Sequence, residues 1–200
     1  FHPVKIITTA EGGLALTNDP ALARRMERLR SHGITRNPTE MTHQPDGAWY
    51  YQQIELGWNY RMTELQAALG LNQLQRLDAY VARRHEIADR YDAALVDLPL
   101  TLPVREAKHR SALHLYIIQV NNPSDHLDVF HRLRTGGIGV NLHYIPIHLQ
   151  PFYRDRGFAE GDFPQAEAYY ARAISLPIFQ TMTEEQQDTV IAAVRSAMAA

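Results

Sequence analysis

The sequence FHPVKIITTAEGG, residues 1–13, decides which fold the rest of the chain is expected to adopt. The β-branched run at residues 6–9 is typical of a strand. Gly12 and Gly13 interrupt this run, and residues 14–17 resume an extended pattern. We therefore expect a hairpin or a strand–turn–strand unit, with Lys5 at the edge of the first strand.

Lysine is scarce in this chain: it occurs only as Lys5 and Lys108, and arginine supplies the remaining positive charge. An amine can lose its proton and attack a carbonyl, whereas a guanidinium stays charged. Lys5 is therefore a candidate to form a Schiff base with an aldehyde cofactor. Two plainer explanations stay open on chemistry alone: genomic base composition can produce the arginine bias, and Lys5 can be a surface residue at the lip of the hairpin.

A helix is predicted after the hairpin, because Asp19 and Pro20 suit an N-cap and a first helical turn. It should run to about residue 31 and stop at Gly33. Residues 35–58 are rich in proline, glycine and aromatic residues without a helical period. A long loop is expected there, and long loops in compact folds often serve a function.

Thr63 lies three residues before Gln66, which is the spacing of a capping box at the start of a helix. The apolar positions that follow predict one long amphipathic helix to about residue 95, with a kink near Gly70. Such a helix would connect a large domain to a small one.

The remaining residues alternate between strand-like and helix-like patterns, which predicts a small α+β domain. The expected elements are strands at 113–120 and 140–144, helices at 125–133 and 164–173, and a final helix after a second capping box at 183–186. We divide the chain into residues 1–62, the end of a large domain, residues 63–98, the connecting helix, and residues 99–200, the small domain.

Composition excludes several function classes. The formal net charge of −2 argues against a general nucleic-acid binder, which usually carries a clear basic excess. No apolar run approaches the roughly 18 residues that span a bilayer, so we do not expect a membrane protein. The absence of cysteine suits a reducing compartment, and we expect a cytoplasmic protein.

Asn59, Tyr60 and Arg61 directly precede the first capping box. Polar groups at a helix start can bind anions, because the backbone N–H groups and the helix dipole point there. The alternative is that Asn59 is an ordinary loop residue and Arg61 a solvated charge.

His143, Tyr144 and His148 lie together in GVNLHYIPIHLQPFY, residues 139–153. Two histidines five residues apart could suggest a metal site, but no third ligand is evident, so no metal is expected. The alternative is the end of a strand with packed aromatic side chains.

In their order and spacing, these segments resemble the DegT/DnrJ/EryC1/StrS family of sugar aminotransferases over nearly the whole chain. Residues 1–13 are similar to the family's Ser-Phe-His-x-x-Lys motif, whose serine would stand just before Phe1. The resemblance implies an α/β fold: the C-terminal part of a fold-type I transferase dependent on pyridoxal 5'-phosphate, with the end of the large domain and the small α+β domain. It also implies that Lys5 holds the cofactor as a Schiff base and shuttles a proton between two carbon atoms.

The resemblance assigns the other polar residues as well. Asn59 would reach across a homodimer and bind the phosphate of the neighbouring subunit's cofactor. Arg61 would pair with the carboxylate of the amino donor, and Tyr60 lies between them in the same substrate-binding motif. The sugar-nucleotide site would be lined by His143, Tyr144 and His148.

Within the family, residues 50–53, 157–167 and 173–179 look like the branch that makes the precursor of pseudaminic acid. That branch transfers the amino group of L-glutamate to a UDP-4-keto-6-deoxy-N-acetylhexosamine. Another nucleotide-linked keto sugar stays open as the substrate. A dehydratase is disfavoured, because those members carry histidine where this chain has Lys5, and a relict without activity is disfavoured by the intact motifs.

The family's N-terminal half supplies an aspartate for the pyridine nitrogen, an aromatic ring that stacks on the cofactor, and backbone contacts to its phosphate. This chain begins FHPVK, without an initiator methionine and without those groups, so we interpret it as part of a longer protein. We expect the 200 residues alone to be inactive, and turnover by the purified chain with cofactor and glutamate would contradict this expectation.

Overall fold

The computed structural model describes residues 1–106 and 108–199, and the chain forms two compact units, Phe1–Gln75 and Arg76–Ala200. The first unit contains helices α1 (Pro20–Leu29) and α2 (Glu64–Leu74) and strands β1 (Ile34–Thr35) and β2 (Gln52–Gln53). The second unit begins with helix α3 (Leu77–Leu95). The predicted single connecting helix is therefore two helices, interrupted at residues 75–76 rather than kinked at Gly70. Arg76 precedes α3 without a side-chain cap, so no local signal in the sequence announces the break.

The predicted strands at residues 6–9 and 14–17 are wrong, since no strand forms in residues 1–18. A strand needs a neighbour to receive its backbone hydrogen bonds, and the first unit provides none to this segment. The threonines bind within the segment instead: the amide of Thr9 and the hydroxyl of Thr8 both donate to the carbonyl oxygen of Phe1 at 3.0 Å. Residues 1–9 consequently form a closed turn.

Helix α1 begins as predicted. The Asp19 side chain accepts hydrogen bonds from the amides of Ala21 and Leu22, which satisfies two donors of the first turn. The helix ends at Leu29, and Gly33 follows with a φ of +70°, a conformation that favours glycine.

The segment predicted as a loop is bridged by two short strands that pair with each other. β1 and β2 pair antiparallel, with Ile34 opposite Gln53 and Thr35 opposite Gln52. Strands of two residues carry too short a pattern to be recognised from sequence. They bring the two ends of the intervening segment together.

On either side of this hairpin in the sequence, the backbone after α1 and the backbone before α2 cross each other. The amide of Trp58 donates to Leu29 at 2.7 Å, and the amide of His32 donates to Trp58 at 2.8 Å. A Cβ on Gly57 would lie 2.6 Å from the carbonyl carbon of His32 and 2.7 Å from the Leu29 oxygen. The close crossing therefore requires glycine at position 57.

The second unit packs helices against a three-stranded antiparallel sheet of order β3–β4–β5. Its strands are β3 (Leu100–Thr101), β4 (Tyr116–Val120) and β5 (Ala173–Leu176). Its further helices are α4 (His126–Thr135), α5 (Pro151–Arg154), α6 (Pro164–Tyr170) and α7 (Glu184–Met198). This is the α+β organisation that the alternating pattern predicts. No helix in the described part of the chain is long and apolar enough to cross a membrane.

Two predicted elements of the second unit differ in the structure. Residues 140–144 form no strand and contribute only an isolated bridge between Asn141 and Ser175. The helix predicted to reach Ala173 ends at Tyr170, because Ala173 already begins β5. All four residues of β5 are buried, so this strand shows no alternation of polar and apolar residues.

The two units differ in what they bury. The core of the second unit is hydrophobic and is built by α3, β4, α4, β5 and α7 with their connections, including Tyr91, Ile118, Leu133, Ile174 and Val194. In the first unit the buried side chains are polar: Thr9, Thr35 and Gln52. The second unit therefore holds most of the hydrophobic stabilisation of this chain.

Arg84 is a buried cation in the second unit, only 3% exposed. Its Nη1 donates to the carbonyl oxygens of Leu113, His114 and Ile178 at 3.0, 3.3 and 3.1 Å. Burial lowers the pKa of this guanidinium. These three bonds fasten the residues before β4 to the residues after β5.

Candidate active site

Lys5 lies on the closed turn at the start of the first unit and is exposed. Its amide donates to the carbonyl oxygen of His2 at 3.0 Å, which fixes the backbone of the turn. Its amine makes no hydrogen bond or ion pair with the residues that the structure describes. The amine is thus available for chemistry, while its backbone is held.

The turn that carries Lys5 is docked on the start of α2. The side chain of Gln66 donates to the carbonyl oxygen of Glu11 at 3.1 Å. Gly12 has a φ of +148°, and a Cβ added to it would lie 2.6 Å from the Cε of Met62. The structure therefore brings the two predicted motifs of the first unit, the lysine segment and the segment before α2, into contact.

A second contact lies one helical turn further along α2. Thr9 is 1% exposed, and a Cβ on Gly70 would lie 2.8 Å from its Cγ2 atom. Gly70, predicted as a kink, instead gives Thr9 room to pack on the helix.

Asn59 and its neighbours form an extended segment that the crossing holds in place. Asn59 makes an isolated antiparallel bridge with Ser31, and the amide of Tyr60 donates to Arg30 at 2.9 Å. The side chains of Asn59, Tyr60 and Arg61 are all exposed. Their backbone is fixed while their polar groups remain available to a ligand.

The start of α2 has the predicted capping box. The hydroxyl of Thr63 accepts from the amide of Gln66, and the Gln66 side chain accepts from the amide of Thr63 at 3.1 Å. The capping box therefore already bonds the amides of Thr63 and Gln66 within the chain.

His143 lies in the second unit and is bonded to β5. Its Nδ1 lies 2.7 Å from the hydroxyl of Ser175, and its ring packs edge-on against Tyr144 with a centroid distance of 4.6 Å. Tyr144 is 69% exposed. The pair presents one anchored imidazole beside one accessible phenol.

His148 is buried, in contrast to Tyr144. Its Nε2 donates to Glu167 Oε1 at 2.7 Å, and its ring lies 4.8 Å from that of Phe163. The hydrogen bond from His148, with a second from the amide of Gly161, holds the pKa of Glu167 below its usual range. One ring nitrogen of His148 is therefore committed to the protein.

Sequence reasoning missed Ser175 and Glu167. Ser175 lies in residues 173–179 and Glu167 in residues 157–167, but nothing in their spacing connects them with His143 and His148, which are 32 and 19 residues away. Only the pairing of β5 with the segment around Asn141 brings Ser175 to His143.

The described residues do not enclose Lys5. Two grooves in the described part of the chain, of about 460 and 340 Å³, lie elsewhere, the first beside His131 and Ser196 and the second beside Arg24 and Asn37. No group of acidic, histidine or cysteine residues in the described ranges could hold a metal ion.

Comparison with known proteins identifies relatives along the whole chain. The model of the DegT/DnrJ/EryC1/StrS aminotransferase family matches residues 1–195. The spore coat polysaccharide biosynthesis protein SpsC of Bacillus subtilis is 38% identical over 201 residues, which cover 98% of this chain and 51% of that protein.

Solved structures give the same result. The putative sugar aminotransferase Spr1654 of Streptococcus pneumoniae, in its PMP form, matches with a TM-score of 0.88 at 28% identity over 100% of this chain and 52% of that one. PseC of Helicobacter pylori, an aminotransferase involved in the biosynthesis of pseudoaminic acid, matches with a TM-score of 0.88 at 30% identity over the same shares. The chain spans about half the length of the curated relatives it matches.

Proposed function

The chain belongs to the DegT/DnrJ/EryC1/StrS aminotransferase family, and from this premise we propose that the whole protein is a sugar aminotransferase that uses pyridoxal 5'-phosphate. The observation that carries the proposal is the exposed amine of Lys5, held on a fixed turn against the helix start behind Asn59 and Arg61. Such an amine can form a covalent bond to an aldehyde once it has lost its proton. The PMP form of Spr1654 supports the same cofactor.

Lys5 has two roles in this proposal. When bound, pyridoxal phosphate supplies an aldehyde for the amine and an electron-withdrawing ring that acidifies the neighbouring C–H bond. Lys5 Nζ binds the cofactor at rest. During transfer it accepts a proton from one of the two carbon atoms that the transferred nitrogen joins and returns it to the other.

Asn59, Tyr60 and Arg61 bind the anionic groups. The exposed amide of Asn59 donates to the cofactor phosphate of a second subunit, so we propose a homodimer. The planar guanidinium of Arg61 can donate two parallel hydrogen bonds to a carboxylate, and it binds that of the amino donor, L-glutamate. Tyr60, which is 81% exposed, contributes its hydroxyl to the same substrate.

The second unit binds the sugar nucleotide. Tyr144 and His143 contact its sugar or diphosphate, and His148 supports this segment through Glu167. The sugar nucleotide we propose is a UDP-4-keto-6-deoxy-N-acetylhexosamine, the substrate of the pseudaminic acid branch, and the match to PseC supports this choice. The reaction and its substrates belong in the cytoplasm.

The alternative to this substrate is a different nucleotide-linked keto sugar. The similarity to SpsC, a protein of spore coat polysaccharide biosynthesis, favours this alternative. Turnover measured with both keto sugars distinguishes them, because the true substrate should have the larger kcat/KM.

The role of Lys5 is tested by Lys5→Ala in the whole protein. We expect the visible absorption band of the bound cofactor to disappear and the formation of 2-oxoglutarate from glutamate to fall by at least about a thousandfold, since both steps need this amine. Lys108→Ala is the matched control, because Lys108 is the other lysine of the chain and is exposed beside Glu106. A Lys5→Ala protein that keeps the band would remove Lys5 from its role.

A further inference from the structure

Ser175 occupies a position on β5 that controls the backbone before His143. The amide of Ser175 donates to the carbonyl oxygen of Asn141 at 2.8 Å, and the amide of Asn141 donates to Ser175 at 3.3 Å. On its other side, Ser175 is paired with Ile117 of β4. A residue held by both neighbours in this way is a rigid support for whatever its side chain contacts.

The side chain of Ser175 contacts His143. Its hydroxyl lies 2.7 Å from Nδ1, and Ser175 itself is 4% exposed. A buried hydroxyl needs an acceptor for its proton, and among the described residues Nδ1 is the partner that the hydroxyl has. The hydroxyl donates to Nδ1 when this nitrogen carries no proton.

This direction of donation fixes the tautomer of His143. In a neutral imidazole one nitrogen accepts and the other carries the proton. When Nδ1 accepts from Ser175, the ring proton lies on Nε2. In this tautomer the donor of the His143 ring is at Nε2.

We propose that Ser175 is a positioning residue for sugar-nucleotide binding, which acts by holding His143 in the Nε2–H tautomer and in one orientation. The inference rests on the proposed function, in which His143 contacts the sugar nucleotide. The ligand group that this donor fits is an acceptor-only oxygen, as found in a diphosphate and in a keto group.

The test is Ser175→Ala in the whole protein loaded with pyridoxal phosphate. We expect KM for the keto-sugar nucleotide to rise about five- to tenfold, the size of effect that one neutral hydrogen bond supports. KM for glutamate, the visible absorption of the cofactor and the unfolding temperature should stay close to wild type. Ser175→Thr keeps the hydroxyl and should restore most of the affinity.

A double-mutant cycle decides whether Ser175 acts through His143. If it does, Ser175→Ala should have little further effect in a His143→Ala protein, because the ring that it holds is gone. If the two changes raise KM independently, so that the KM of the double variant reflects the product of the two factors, the proposal is overturned. An unchanged KM in a folded Ser175→Ala protein would also overturn it.

Calorimetry with UDP distinguishes the diphosphate from the keto sugar as the acceptor. It also distinguishes a failure of the role of Ser175 from a failure of the proposed function. Weaker UDP binding by Ser175→Ala assigns the acceptor to the diphosphate, whereas unchanged UDP binding with a raised KM assigns it to the keto sugar. A folded, cofactor-loaded wild type that turns over no nucleotide-linked keto sugar contradicts the proposed function. Weaker UDP binding by Ser175→Ala would then still support the role of Ser175, and equal binding by the two proteins would overturn it.

Discussion

His148 and Glu167 form a short hydrogen-bonded contact in the segment that we assign to the sugar nucleotide. His148 Nε2 and Glu167 Oε1 lie 2.7 Å apart, and the amide of Gly161 donates to both carboxylate oxygens at 2.9 and 3.0 Å. The bond from His148, followed by that from Gly161, lowers the pKa of Glu167 from its usual value of 4.5. Folding therefore favours the ionised carboxylate.

We expect Glu167→Gln to destabilise the protein at neutral pH and to do so less as the pH falls. A carboxyl group whose pKa is lower in the folded state adds stability that is fully present above its unfolded pKa. This stability is lost as the pH falls through the folded pKa. The free energies of unfolding of the two proteins should differ at neutral pH and converge below about pH 4.

Urea titrations across this pH range measure the effect. The matched control is Glu160→Gln, at an exposed position that makes no bond with the described residues, and it should show no convergence. A Glu167→Gln difference that stays constant with pH would show that packing, rather than charge, explains the loss.

Residue roles could be predicted where they depend on neighbours in the sequence. Both capping boxes and the Asp19 cap are confirmed, because a cap joins residues two or three positions apart. The contacts of His143 with Ser175 and of His148 with Glu167 depend on how β5 and α6 fold back. No local pattern contains that information.

At the scale of elements, the crossing between the end of α1 and the segment before α2 positions Asn59. The hydrogen bond from Trp58 to Leu29 and the bridge from Asn59 to Ser31 hold the two backbones together. The crossing is possible because position 57 has no side chain.

We expect Gly57→Ala to destabilise the protein by about 1–3 kcal/mol, since a methyl group would meet backbone atoms that cannot move separately. Gly13→Ala is the matched control: a Cβ at Gly13 meets no atom within 4 Å, and it should be close to neutral. Thermal unfolding of the two variants measures the difference. Equal stability of both variants would mean that the crossing can relax without cost.

Helices were easier to predict than strands, for a physical reason. A helix satisfies its backbone within one segment, so α1 and α7 follow from their caps, α6 from Pro164 in its first turn, and α4 from Gly136 after its last turn. A strand depends on a partner elsewhere in the chain. The β-rich residues 6–9 therefore form no strand without one, while the short strands β3 and β5 form because β4 lies between them.

At the scale of the whole molecule, the fold class is confirmed: the chain matches fold-type I sugar aminotransferases over its full length. Its two units are unequal in stabilisation, because the hydrophobic core belongs to the second. In the first unit, large apolar side chains such as Trp58, Leu65 and Leu71 are exposed.

We expect residues 76–200, expressed alone, to unfold cooperatively with urea, because they contain a hydrophobic core of their own. Residues 1–75, expressed alone, should show no cooperative transition, since their buried side chains are polar. Circular dichroism follows both fragments, and tryptophan fluorescence follows residues 1–75 alone, which contain Trp49 and Trp58, the two tryptophans of the chain. A sharp transition in 1–75 would contradict the unequal distribution of stability.

The glycine crossing has an evolutionary consequence for the hairpin of β1 and β2. Both ends of this hairpin are fixed where the backbones cross, so its tip around residues 45–47 can change length without moving Asn59. Doubling the length of a flexible loop costs only about 0.6 kcal/mol in closure entropy. Insertions and deletions at the tip therefore give homologous proteins a route to diversify while the anchored residues beneath it stay the same.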